Sequence, residues 1–283
     1  MKKSQGKVYS LLPIINELGQ LPGLNLQDLT LFFILMLIAS LRVGAFLIAA
    51  PFFGSRMVPL QIRIVFSFCL GFWILDVASF PDRSVLMSAK LIPIVFQEII
   101  IGVSAGMVVT IAFASVSLAG EKIAATSGLA FASQVDPVGG GQSPVISSIL
   151  TLFMIVIFFS INGHLVAFGL LYDSFDIIPI GQFAEYSRLP KMGLASAELM
   201  LKTSAMLMLP IVSIMLLINV SVGFITKSAP QLNLFSFGFP MTILGAIFIL
   251  YFSVDALAFG FQDLAKAVLR LLGNLLMGET DGG

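Results

Sequence analysis

Residues 144–172 read PVISSILTLFMIVIFFSINGHLVAFGLLY and contain no Asp, Glu, Lys or Arg. A helix needs about 20 mostly apolar residues to cross roughly 30 Å of hydrocarbon, so this run predicts a membrane span. It lacks the alternation of a membrane β-barrel strand, and in lipid every backbone N–H must be satisfied within the segment, which leaves the helix. Working outward, the same reading predicts spans over Leu29–Phe53, Ile62–Ala78, Leu91–Ala114, Thr203–Thr226 and Phe237–Phe259, the second of them short. Pro93, Pro144, Pro210 and Pro240 punctuate these runs, and each removes a helix hydrogen bond. The fold class implied is all-α: a polytopic membrane protein of about six hydrophobic segments forming kinked helical hairpins.

Composition agrees. Of 283 residues, 58% are hydrophobic and 11% charged, against about 25% charged in a soluble domain; mean hydropathy is +1.04. The 15 basic residues balance the 15 acidic ones, and without a basic stripe there is no electrostatic footprint for nucleic acid. With six spans, Lys2, Lys3, Lys7, Arg83, Lys90, Arg188, Lys191, Lys202, Lys266 and Arg270 fall on one side, and Arg56, Arg63, Lys122 and Lys227 on the other. The positive-inside rule then puts both termini in the cytoplasm. The lysines before the first span read as its flank rather than as a cleaved signal peptide, since no A-x-A pattern follows. Residues 1–26 form an N-terminal tail, 27–277 the membrane domain and 278–283 a disordered tail. The single cysteine, Cys69, has no partner in the chain and reads as a small buried hydrophobe.

Chemistry-bearing residues are sparse. Arg42, Asp76, Glu98, Glu121, Lys122, His164 and Asp255 lie in or near the apolar runs, where ionisable groups are costly and tend to be functional. Arg42 and Glu98 are the deepest, and a mutual ion pair is one way to satisfy both. His164 has no second ligand at metal-binding spacing and reads as a hydrogen-bonded helix-interior histidine; a proton carrier is the alternative. Gly139-Gly140-Gly141 lacks the Lys-Ser/Thr of a phosphate loop, and neither Tyr172-Asp173 nor Ser127-Gly128 has the partner an intramembrane protease needs. No catalytic, cofactor or metal residues are expected. A secondary transporter would show paired broken helices in inverted repeats, and no internal symmetry is evident. Gly102, Gly106 and Thr110 recur every four residues and predict a face for close helix packing.

The block Pro230-Gln231-Leu232-Asn233, with Phe235 and Gly238-Phe239-Pro240 after it and Asn219, Gly223 and Lys227 before it, is similar to the flagellar biosynthetic protein FliR family, whose SctT relatives serve virulence type III secretion. Glu98, Gly102 and Gly106, the stretch Ala119-Gly120-Glu121 and Asn162-Gly163-His164 fit the same pattern. Lys227 stands where the family often has Arg, and Gly-Phe-Pro looks flagellar. The resemblance covers roughly Gln27–Met277. It implies one copy in a hetero-oligomeric complex with FliP-like and FliQ-like subunits, beside FlhB-like and FlhA-like components, in the bacterial inner membrane. That complex is the gate for unfolded export substrates. The resemblance also implies a plug loop, expected within Phe113–Thr126 and including Ala114, Ser115, Ser117, Ala119, Gly120, Glu121 and Lys122, whose small residues suit a compact movable obstruction. Neither cofactor nor enzymatic activity is implied.

Overall fold

The computed structural model of the chain describes residues 26–54, 58–128, 145–182, 188–229 and 237–278. Among them are nine helices and no strand: α1 (Leu26–Ala49), α2 (Leu60–Ile74), α3 (Arg83–Leu86), α4 (Leu91–Thr126), α5 (Val145–Ser160), α6 (Gly163–Ile177), α7 (Arg188–Ser228), α8 (Phe239–Phe252) and α9 (Val254–Met277). The all-α, membrane-class reading holds, but the spans are organised differently from the six expected. Three are single helices, Leu29–Ala49, Leu91–Thr126 and Leu189–Ser228, and α5 + α6 and α8 + α9 are pairs bent by 64° and 62°. The remaining apolar run, α2, has 15 residues, too few to cross about 30 Å alone.

Two of the long helices outrun their hydropathy. Helix α4 has 36 residues and α7 has 41, roughly 54 and 62 Å at 1.5 Å per residue. The stretch Phe113–Lys122, expected to be a loop, is therefore helix. Its Ala, Ser, Leu, Glu and Lys residues are compatible with helix despite their lower hydropathy, and Gly120 is held where a Cβ would lie 2.5 Å from the Ser147 Cα. For the same reason α7 begins at Arg188 and not near Thr203.

The chain forms two compact units. Unit 1 comprises Met1–Met107, Phe168–Leu189 and Leu272–Gly283, and unit 2 comprises Val108–Ala167 and Pro190–Leu271. In unit 1, α1 and α2 approach closely because Gly71 faces Ser40: a Cβ there would lie 2.9 Å from the Ser40 Cβ. Ser40 and Ser67 are buried, and each returns its hydroxyl to a carbonyl three residues back in its own helix, at 2.7 and 2.8 Å, which satisfies the buried donor. Phe46, Phe53 and Phe66 gather around Phe168 at 5.7–5.8 Å between ring centroids. Cys69, expected inside, is exposed, because the buried positions of α2 are Ser67, Gly71 and Ile74.

In unit 2 the core includes Val116, Ala119, Ile123, Met154, Phe158, Met215 and Phe261. Phe113 meets Phe158 edge-on at 5.5 Å, and Phe153 meets Phe261 at 5.7 Å. The break between α5 and α6 sits at Asn162, whose φ is +56°. Asn tolerates this left-handed conformation better than most residues. Next to it, Gly163 leaves room for the Phe158 ring, which a Cβ would approach to 2.7 Å. Helix α9 is the most evenly two-sided of the helices: Leu257, Phe261, Leu264, Ala265, Val268, Leu272 and Leu276 are buried, while Asp255, Asp263, Lys266 and Arg270 are exposed.

Candidate functional site

Two neighbouring features of unit 1 bring together Arg42, Glu98, Gly102 and Gly106. A Cβ on Gly102 would overlap the Arg42 carbonyl oxygen, and one on Gly106 would lie 2.5 Å from the Ala49 Cβ. The glycine face expected to meet another helix thus meets α1 of the same chain. Thr110, the third member of that face, lies in unit 2 and is half-buried.

One turn before Gly102, Glu98 completes the α1–α4 contact. The Arg42 Nε donates to Glu98 Oε2 at 2.8 Å and Nη2 donates to Oε1 at 3.1 Å, with both side chains 0% exposed. Outward from α4, Nη1 donates to Ser174 Oγ at 2.8 Å and Nη2 to the Ile178 carbonyl at 2.9 Å. The guanidinium carbon also lies 4.0 Å from the centroid of the Phe175 ring, a cation–π contact. Next to Glu98, Gln97 is buried and donates its amide to the Gln182 carbonyl. A buried pair is tolerable only when geometry and extra hydrogen bonds offset its desolvation; here the carboxylate is bidentate and the guanidinium has two further acceptors. Sequence alone marked Arg42 and Glu98 as the deep charges but not Ser174, Ile178 or Gln182, since nothing distinguishes a serine or a carbonyl that awaits a donor. The arrangement binds helices together, and among the described residues no group of three or more His, Cys, Asp or Glu could hold a metal ion.

The other expected site residues lie in unit 2. Phe113, Ser115, Ala119 and Gly120 are buried, Ala114 and Ser117 half-buried, and Glu121 and Lys122 exposed. The small residues of this stretch fill a helix–helix contact. Ser147 Oγ donates to the Ser117 carbonyl at 3.1 Å, and the Ser117 and Thr151 hydroxyls lie 3.3 Å apart. His164 is half-buried in the first turn of α6 and stacks on Phe159 at 4.5 Å; its Nδ1 has no hydrogen-bond partner, so the hydrogen-bonded interior histidine expected from sequence is not what forms.

The end of α4 is capped from two other helices. Asn219 Nδ2 donates to the Thr126 carbonyl at 3.0 Å, and Thr242 Oγ1 donates to the Ser127 carbonyl at 3.1 Å. Gly128, with φ +79°, lets the chain leave beside Phe239. An open cleft of about 300 Å³ lies there, with Asn219, Gly223, Phe239 and Thr242 in its wall. Gly238 is buried and Pro240 sits exposed in the first turn of α8. Pro230, Gln231, Asn233, Phe235 and the Gly139–Gly141 turn lie outside the described residues.

The family described as bacterial export proteins, family 1, matches residues 33–268. The chain belongs to this family. The flagellar biosynthetic protein FliR of Escherichia coli (strain K12) is 31% identical over 237 residues, covering 83% of this chain and 90% of that protein. FliR of Aquifex aeolicus (strain VF5) is 28% identical over 83% of this chain and 92% of its own length. FliR of Bacillus subtilis (strain 168) is 26% identical over 85% and 93%. The matched span includes Arg42, Glu98, both glycines of the α1–α4 contact and the Asn162 bend.

Proposed function

We propose that this chain is a structural and gating subunit of the flagellar type III protein-export apparatus. With FliP-like and FliQ-like subunits it would form the channel through which unfolded flagellar proteins cross the bacterial inner membrane, beside FlhB-like and FlhA-like components. The observation that carries the reading is the likeness to flagellar biosynthetic proteins over 83% of the chain. The role is non-enzymatic and needs no cofactor.

Phe113–Lys122 is the proposed gating segment, now as the C-terminal part of a helix. Its Ser117 and Gly120 hold it against Ser147 and Thr151, and its exposed Glu121 and Lys122 suit a water-filled lumen better than hydrocarbon. Exposed apolar residues along α7 and α8, among them Leu217, Phe224, Phe248 and Phe252, support a need for lipid or partner helices around the chain.

Co-expression tests the subunit reading. Alone, the chain should be degraded or aggregate; with FliP-like and FliQ-like subunits it should be recovered in one complex. A stable, monodisperse monomer in mild detergent would overturn it. In the assembled complex, E121A/K122A should raise membrane permeability to small dyes, and unchanged permeability would remove the gating segment while leaving the subunit assignment in place.

A further inference from the structure

The contacts of Arg42 divide into two sets. Nε and one Nη2 hydrogen bond face Glu98, within a contact between α1 and α4 that Gly102 and Gly106 already hold by close backbone approach. Nη1 and the second Nη2 hydrogen bond face Ser174 and the Ile178 carbonyl, where α6 ends and the chain turns. Within that turn Ile180 is buried. Gly181 takes φ +85°, and a Cβ there would lie 3.3 Å from the Pro81 Cγ and 3.4 Å from the Ile94 Cδ1. Its backbone amides return to nearby carbonyls, Ile178 N–H to Ser174 at 2.9 Å and Gln182 N–H to Pro179 at 3.1 Å. The buried Gln97 amide also reaches it, through the Gln182 carbonyl. Gln97 Oε1 is buried without a hydrogen-bond partner, so the desolvation of that oxygen offsets part of what the bond to Gln182 contributes.

We propose that Arg42 is a positioning residue acting as a two-sided latch: its Glu98 side belongs to the fixed α1–α4 contact, and its Ser174–Ile178 side holds the exit of α6 in a form that can be released without parting α1 from α4. The two sides are separable because their supports differ. Glycine packing survives loss of the charges, whereas the exit of α6 loses at once the donor to Ser174 Oγ and to the Ile178 carbonyl. The latch rests on the chain's own contacts and not on the export reading.

Hydrogen–deuterium exchange on the full chain, isolated with whatever subunits co-purify, tests this. In R42L/E98L no charge is left buried and unpaired. Amides in 178–182 should exchange about tenfold faster or more, from losing two hydrogen bonds to a charged donor, while those of 100–106 stay within about twofold of wild type. R42K keeps the charge pair with Glu98 but lacks the planar fork that serves four acceptors at once; it too should speed exchange at 178–182 and leave 100–106 protected. Unchanged exchange at 178–182 in both variants would overturn the latch. So would parallel loosening of both segments in R42K, which would make Arg42 an undivided part of the core.

Discussion

A missing methyl group sets how closely α1 and α4 approach, and the consequence is specific. With Ala49 and Phe46 of the same chain against Gly106, Gly106→Leu should damage the fold of unit 1. Overpacking of this kind costs about 1–3 kcal/mol or more. The amount of folded chain in membranes and its melting temperature in detergent should both fall, and wild-type values would show that α1 can move aside. At Asn162 the backbone itself decides. Asn162→Val should cost about 1–2 kcal/mol, because a β-branched residue resists the left-handed conformation, whereas Asn162→Gly should melt within a degree or two of wild type. The sequence was informative at this scale wherever a cost had to be offset: two deep charges required partners, and glycines at four-residue spacing required a neighbour. It was silent on which neighbour. His164 shows the limit, since a histidine in an apolar run looks the same whether it is hydrogen-bonded or stacked on a phenylalanine.

Helix ends were harder to read than helix interiors. Hydropathy registers how apolar a run is, whereas continuation of a helix depends on propensity and on what the next turn packs against. Hence α4 runs on past Ala114 to Thr126, and α7 starts at Arg188, although both extensions are less apolar than the spans they prolong. Helix α9 gives a test at this scale. Its apolar side is buried within the chain, so its outer row of Asp263, Lys266 and Arg270 needs water or polar partners, not acyl chains. With Cys69 replaced by Ser, cysteines placed singly at 263, 266 and 270 should react with a charged, membrane-impermeant maleimide in permeabilised cells. A cysteine replacing the buried Leu264 should not. Protection of all three outer positions in the assembled complex would mean that a protein partner covers them.

For the molecule as a whole, the all-α membrane class was legible from composition, because 11% charged residues leave too few to cover soluble domains of this size. The two units were not legible, since no repeat or shift in composition marks their borders, and the chain passes between them at 107/108, 167/168, 189/190 and 271/272. Unit 1 takes its final pieces, Leu272, Leu275 and Leu276, from the end of α9, all buried. A chain stopped after Leu271 should lose about 5 kcal/mol from those side chains and vanish from membranes on immunoblots, while one stopped after Met277 should accumulate normally. The same interleaving puts a delay into biosynthesis. Between residue 107, where the first stretch of unit 1 is finished, and residue 272, where its last begins, a ribosome adds about 165 residues, taking roughly 10–30 s at 5–20 residues per second. Only the Phe168–Leu189 stretch joins them in that interval, so α1 and the start of α4, with Arg42 and Glu98 between them, wait in the cell first for Ser174 and Ile178 and then for the last wall of their core.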